Sequence, residues 1–595
     1  MAKTKKRSSE RKQPAKRPAD KPARDGSATK APSSAGGMTS PESIRETIES
    51  VVIAFILAFL FRTFEAEAFV IPTGSMAPTL MGRHKDVECP ECGYHYQLSA
   101  SQEVDPETNK LTGNVTLGGT CPMCRYTIDV GPNNPQERSY KSHSGDRILV
   151  EKFPYQFRDP ERFEVSVFKF PGGARTNYIK RICGLPHETI RIKHGDLFVK
   201  REGEADFTIA RKEDPKKLLA VLQPVYDTDY VSPTLESAGL SQRWINGDSS
   251  PSDTPGKWNT DDDKRFRIDG QTPGDVWLRY QHVVPSQEDW FYLKEGTALP
   301  QPPPRQLISD FTAYNTRRTK SDQLTYPLSG RGVHWVGDLA VECRMDVAGE
   351  SGEIVLELVE GGRRFQCVID VATGIASLSI DGSSSLGTPK AETSLRGAGK
   401  YKVRFANVDD QLRLWIDGWE IGFDLPTTYE PLENFIPTEA DLLPAGIASR
   451  AVPLEISHLR LLRDLYYIAD DNSFGQPLAD YEFNRDYAIL DGGIRPLAAE
   501  VDALLSTPEY WSFFAGFQEK EYKLGEGEFL ALGDNSGESR DSRLWANEGI
   551  GHCVPRRLLV GKALFVYWPH PTDHIPGTRI PFPYFPNFGR MWVIR

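Results

Sequence analysis

Between Val51 and Phe61 the chain reads Val-Val-Ile-Ala-Phe-Ile-Leu-Ala-Phe-Leu-Phe, without one polar side chain, and this run limits everything around it. A helix that is apolar on every side has no face to offer water, so it belongs in lipid or inside other protein. The run alone is short for a hydrocarbon core of ~30 Å, which takes about 20 helical residues. It reaches that length if Ile44, Ile48 and Phe64 join it and the nearby charges snorkel toward the interfaces. Ser40-Pro41-Glu42 has the marks of a helix start: a capping hydroxyl, a proline in the first turn and an early acid. Ahead of it, Lys3 to Lys30 is crowded with Lys, Arg, Ala, Pro and Ser and cannot bury enough apolar surface to offset its ordering entropy. The sequence therefore predicts a disordered basic tail over 1–40 and a transmembrane helix over 41–64. By the positive-inside rule the tail is cytoplasmic and all beyond Arg62 lies on the far side of a single-pass span of the cell membrane. A buried or interfacial helix is the competing reading. A cleavable leader ending at Ala66-Glu67-Ala68 is another, disfavoured by the long segment before the run. The formal charge of -11 and this location argue against a nucleic-acid binder.

Just past the run stands Phe69-Val-Ile-Pro-Thr-Gly-Ser75-Met-Ala-Pro-Thr-Leu80, one serine among turn formers. Such residues make ordinary turns more often than active sites. Further on, the alternating segment Arg162 to Pro171 is followed by Gly172-Gly173 and then Asn177-Tyr-Ile-Lys180-Arg-Ile-Cys-Gly-Leu-Pro186. A lysine on a strand is usually solvated. Held among apolar groups it loses its proton more easily and becomes the base that a weakly nucleophilic hydroxyl requires. A third segment, Glu528-Phe-Leu-Ala-Leu-Gly533-Asp-Asn-Ser-Gly-Glu-Ser539-Arg-Asp541-Ser-Arg543-Leu-Trp545, runs from an apolar strand into a loop dense with hydrogen-bonding side chains. It reads either as a capped turn with ion pairs or as the shell that orients a base.

Together, in this order and behind this helix, the three segments resemble bacterial type I signal peptidases over about 45–90, 144–200 and 520–570. The resemblance implies a mostly β serine endopeptidase that cleaves N-terminal signal peptides from exported preproteins, without a cofactor for catalysis. It makes Ser75 the nucleophile, supported by Met76 on its strand, and Lys180 the general base. Thr73, at a position often filled by serine, joins the Ser75 backbone N–H in the oxyanion hole. Ser539 hydrogen-bonds and aims the Lys180 amine, and Asp541 with Arg543 forms a supporting pair. Gly145-Asp146-Arg147 fits a further motif, and His187 stands where the family usually carries glycine. The family's endoplasmic-reticulum branch uses histidine at the lysine's place, so Lys180 sides with the bacterial and organellar branch. A signal segment is expected to pair as an added strand, flanked by Phe64 to Pro72 and Arg162 to Pro171, beside membrane lipid.

Two stretches are foreign to that pattern. Cys89-Pro-Glu-Cys92 and Cys121-Pro-Met-Cys124 have the spacing of a four-thiolate zinc ribbon over 89–128; disulfides or a redox dithiol are the alternatives outside a membrane. From 203 to 519, strands such as Leu339–Val347, Ile354–Leu358, Phe365–Ile369 and Leu412–Ile416 alternate, with turns at Gly361-Gly362 and Asp417-Gly418. These predict an inserted antiparallel β-sandwich, a jelly roll over about 305–465, which is either a spacer or a module for a glycan or protein partner. Gln411 to Gly418 resembles a strand pair from concanavalin-like or laminin-G-like folds. Cys343 and Cys367 are a pair if their strands adjoin and otherwise buried thiols. The catalytic domain is thus expected in three pieces, 65–88, 140–202 and 520–575, with a C-terminal tail over 576–595. The rival readings are an inactive anchored scaffold whose jelly roll binds glycan or protein, a self-cleaving Ser-Lys protease like the LexA repressor group, and a soluble zinc-ribbon nucleic-acid protein.

Overall fold

The computed structural model describes residues 41–64, 66–106, 108–132, 140–247, 257–319, 328–381, 383–384, 386–432, 435–470, 479–480, 497–575 and 580–595. The basic tail expected over 1–40 lies outside the described residues. The chain divides into two compact units, Met1–Phe61 and Arg62–Arg595.

In the first unit the apolar run forms part of one helix, Pro41–Phe64. Ile44, Ile48, Val51, Val52, Ile53, Phe55, Ile56 and Leu57 are each 48% or more exposed, so apolar side chains face outward all round it. Arg45 and Glu49 pair one turn apart at 2.8 Å. Among the described residues no helix is long and apolar enough to cross a membrane. Glu42, Arg45, Glu46 and Glu49 occupy its first turns, and its side chains are described only to Leu57. The transmembrane span expected over 41–64 is therefore not part of the described structure.

The second unit is mainly β. Its catalytic part is a seven-stranded sheet in the order Ala66–Val70, Arg147–Glu151, Leu559–Trp568, Val165–Lys169, Asn177–Gly184, Glu528–Leu532, Val554–Pro555, beside a four-stranded sheet in the order Thr208–Ile209, Asp196–Arg201, Glu188–Lys193, Lys520–Lys523. Period-2 patterning sets which side chains go in: Ile148 and Val150 are buried on one strand, Ile190 and Ile192 on another. The last residues, set apart above as a tail, are sewn into this core. Val566 N–H donates to Trp592 O, Ile594 N–H donates to Leu564 O, and Ile594 is buried.

Within the long insertion an eight-stranded and a seven-stranded antiparallel sheet share one hydrophobic core. It begins earlier in the chain than the alternation at 305–465 implied, because Gln223–Asp227, Arg265–Ile268 and Val276–Tyr280 also supply strands. Leu339, Val341, Cys343, Met345 and Val347 line the core from one sheet and Phe365, Cys367 and Ile369 from the other. Cys343 and Cys367 therefore sit on different sheets and are free thiols. The hairpins at Gly361-Gly362 and Asp417-Gly418 have both central residues at positive φ, between 52° and 86°, which is the two-residue geometry that lets a hairpin keep its strand twist.

Candidate active site

The strand Ala66–Val70 delivers the chain into a buried turn, not a further strand: Ala77 N–H donates to Gly74 O at 3.0 Å and Leu80 N–H to Met76 O at 2.8 Å. Ser75 lies in this turn and is 8% exposed. Met76 is fully buried among Ile71, Leu80, Ile148 and Val150, so it braces the turn where a strand was expected. The Gly145-Asp146-Arg147 motif clamps both ends. Asp146 O accepts from Ile71 N, its Oδ2 accepts from Met81 N at 2.8 Å, and a Cβ at Gly145 would come within 2.1 Å of Ile71 O. Thr73 is exposed beside Ser75, where its hydroxyl can meet an incoming group.

Lys180 comes from the strand Asn177–Gly184, whose edges are taken by Val165–Lys169 and Glu528–Leu532. It is 3% exposed. Its Nζ donates to Ser75 Oγ at 2.6 Å and to Ile179 O at 3.0 Å. Burial pulls its pKa down from 10.5 to about 8, against Asp541 and Asp534, which push it up. A hydroxyl and an amine poised to be neutral near physiological pH are thus in direct contact, the arrangement in which the amine can take the hydroxyl's proton.

The loop after Glu528–Leu532 wraps this pair. Asp541 and Arg543 are fully buried and pair at 2.9 Å, and Arg543 also donates to Ser536 Oγ, Ser536 O and Ile468 O. Ser539 is 1% exposed, yet its Oγ has no hydrogen-bond partner among the described residues. The bond to Lys180 expected of it is not made, because the amine is directed at Ser75 and Ile179 instead. Ser539 packs on Gly533, where a Cβ would come within 2.1 Å of its Oγ. Several contributors carried no role in the sequence reading. Arg181, the neighbour of Lys180, makes a two-pronged pair with Asp534 at 2.8 and 2.6 Å and donates to Arg595 O. Asn535 donates from its backbone to Ser75 O at 3.1 Å and from its side chain to Gly74 O at 2.9 Å. Arg181, Asp534 and Asn535 were visible as polar residues within the motif segments; Asn315, which pairs with Asn535, lies in inserted sequence with no such signal.

The sheet order decides which edges a peptide can use. Val165–Lys169 has both edges occupied, so this part of Arg162 to Pro171 can flank a bound segment but takes no added strand itself. Among the described residues Ala66–Val70 is outermost and pairs only with Arg147–Glu151.

The two Cys-x-x-Cys turns cap two hairpins, His84–Glu88 with His95–Ser99 and Gly118–Thr120 with Thr127–Asp129. Gly93 and Arg125 occupy matching positions in the two turns, at φ 74° and 63°. Cys89 Sγ lies 3.5 Å from Cys124 Sγ and Cys92 Sγ 3.6 Å from Cys121 Sγ, and all four sulfurs fall within 4.8 Å of one another. A disulfide needs ~2.0 Å, and the four cysteines are free thiols. A tetrahedral ion with metal–sulfur bonds of ~2.3 Å sets its sulfurs about 3.8 Å apart. The four thiols fit a metal ion. Trp290, from the long insertion, is buried against them and donates to Cys124 O at 3.0 Å.

Two stretches, 134–234 and 499–568, match the family model "Signal peptidase, peptidase S26". Over these two stretches the chain is similar to peptidase S26. These stretches hold Lys180 and the loop through Arg543, while Ser75 precedes them. Signal peptidase I of Pseudomonas aeruginosa is 39% identical over 90 residues, 13% of this chain and 31% of that protein. Signal peptidase I V of Bacillus subtilis is 42% identical over 55 residues, 9% of this chain and 32% of that protein. The chain thus spans about a third of the length of these relatives. Galectin LEC-6 of Caenorhabditis elegans aligns with 21% of this chain and 83% of its own at 6% identity and a TM-score of 0.16. The carbohydrate binding module CBM66 of Bacillus subtilis aligns with 37% and 92% at 9% identity and 0.18. Neither score defines a shared fold, and beside the S26 region these likenesses carry no assignment.

Proposed function

We propose that this chain is a membrane-anchored type I signal peptidase, a serine endopeptidase with a Ser75–Lys180 dyad that removes signal peptides from exported preproteins. The observation that carries the reading is the 2.6 Å contact between Lys180 Nζ and Ser75 Oγ in a buried site, with the amine's pKa drawn down to about 8. In the reactive form Lys180 is neutral and accepts the Ser75 hydroxyl proton as Oγ attacks the scissile carbonyl carbon. The oxyanion accepts hydrogen bonds from the Ser75 N–H and the Thr73 hydroxyl. The proton passes from Lys180 to the departing amine as the peptide bond breaks, leaving an ester on Ser75. Water, deprotonated by the same amine, then attacks the ester and returns the free serine. Asp541–Arg543 and Arg181–Asp534 hold the loop and strand that aim these groups. The substrate segment extends along the outer edge of Ala66–Val70, and the apolar run from Val51 to Phe61 holds the chain to lipid. The four cysteines hold zinc as a structural ion.

Cleavage of a preprotein in proteoliposomes by wild type, Ser75→Ala and Lys180→Ala tests the reading. Both variants should lose processing by 10³-fold or more, the scale on which dyad members act. Undiminished cleavage by either one ends the assignment.

A further inference from the structure

The inserted sequence reaches the catalytic turn itself. The short 3-10 turn Ala313–Asn315 and the residues up to Arg318 run between the cysteine ribbon on one side and the Ser75 turn on the other. Toward the ribbon, Leu117 N–H donates to Arg318 O at 2.7 Å, Arg318 N–H to Gly118 O at 2.9 Å, and Thr120 N–H to Thr316 Oγ1 at 2.8 Å. Toward the nucleophile, Tyr314 lies so close to Gly74 that a Cβ there would meet its ring at 2.2 Å, and its hydroxyl donates to Arg83 O.

Asn315 and Asn535 form a reciprocal amide pair, Nδ2 to Oδ1 at 2.6 Å in one direction and 2.9 Å in the other, with both residues buried. The second proton of Asn535 Nδ2 goes to Gly74 O, and the Asn535 backbone N–H goes to Ser75 O. Asn535 therefore grips the carbonyls before and after the nucleophile. Asn315 accepts the remaining Nδ2 proton of that amide and donates to its Oδ1, so a turned Asn535 amide would set its oxygen against Asn315 Oδ1 as well as Gly74 O.

We propose that Asn315 is a positioning residue for Ser75: acting through Asn535, it fixes the nucleophile's turn, so that the insertion completes the catalytic centre rather than decorating it. The inference rests on Ser75 being the nucleophile. A shift of about 1 Å in a reacting group costs on the order of 10²-fold in rate.

The test is steady-state cleavage of a preprotein by the full-length chain. Asn315→Leu, similar in size but unable to pair, should lower kcat by about 30- to 100-fold with KM within about twofold. Asn315→Asp keeps the size but sets its second carboxylate oxygen against Asn535 Oδ1, and should lose at least as much as Asn315→Leu. Because Asn315 acts through Asn535, Asn315→Leu with Asn535→Leu should be no slower than Asn535→Leu alone. Full kcat in Asn315→Leu or in Asn315→Asp, or additive losses in the double variant, would each overturn the proposal. Should Asn315→Leu not fold, Asn315→Asp makes the same measurement. An active Ser75→Ala enzyme, by contrast, removes the underlying functional reading.

Discussion

Lys180 is a charged group kept where charge is unwelcome, and replacing it with methionine, an unbranched side chain of similar reach, separates what the residue does for stability from what it does for chemistry. In the unfolded chain its amine titrates near 10.5, in the folded protein near 8. Below pH 8 both states are protonated, so folding carries the full cost of burying the ammonium, about 3 kcal/mol at ~1.4 kcal/mol per pH unit. Between pH 8 and 10.5 the unfolded state binds a proton that the folded state does not, and wild-type stability rises with pH by the same slope. Methionine removes the cost and forfeits the hydrogen bonds to Ser75 Oγ and Ile179 O, each about 1 kcal/mol. Lys180→Met should therefore be about 1 kcal/mol more stable than wild type at pH 7, equal near pH 9 and less stable at pH 10, while inactive throughout. Urea unfolding of the full-length protein at these pH values, followed by the fluorescence of Trp545 beside Phe168 and Phe170 in the catalytic sheet, reads the difference. A variant that is less stable at pH 7, or a gap that does not change with pH, refutes the burial argument.

The same pKa governs turnover: only the neutral amine can act as base, so kcat/KM should climb about tenfold per pH unit below 8 and level off above it. A flat profile between pH 6 and 9 would remove Lys180 from the base role. For the ribbon, elemental analysis of the purified protein should find about one zinc per chain, and Cys121→Ser should release it and lower the thermal midpoint of the ribbon's unfolding. A metal-free wild-type protein with the same midpoint would refute the structural-ion reading.

What the sequence disclosed, and what it withheld, follows from how local each signal is. Strands with period-2 burial such as Arg363–Asp370, two-residue turns such as Gly361-Gly362 and paired cysteines are decided by near neighbours in the chain, so they could be read directly. His187 illustrates a milder case. It sits at φ 65°, so the turn conserves the left-handed geometry that glycine favours even though the residue has changed. The Ser75–Lys180 contact joins residues far apart in sequence, and only the resemblance pointed to it. The Ser539 bond and the setting apart of the C-terminal tail were inferred segment by segment, but each depends on what a distant strand or carbonyl already occupies. Asn315 was illegible for the same reason: an isolated asparagine announces nothing until Asn535 is beside it.

That dependence also explains how a peptidase sheet can hold so long an insertion. In the four-stranded sheet the chain leaves from the outer strand Thr208–Ile209 and returns as Lys520–Lys523 at the opposite edge. At ~4.8 Å per strand the ends stand about 14 Å apart, with two strands between them, so the interrupting sequence must span the sheet and no tight turn can replace it. Having crossed, it makes itself needed at two separate points. Asn315 satisfies Asn535, and Ile468 accepts from Arg543 while its own N–H donates to Ser536 Oγ. Arg543 is buried and paired with Asp541, and a buried guanidinium that loses an acceptor is costly to leave unsatisfied. Removing the insertion would therefore unseat the loop that faces Lys180 as well as the turn that carries Ser75, and the catalytic geometry belongs to the whole second unit.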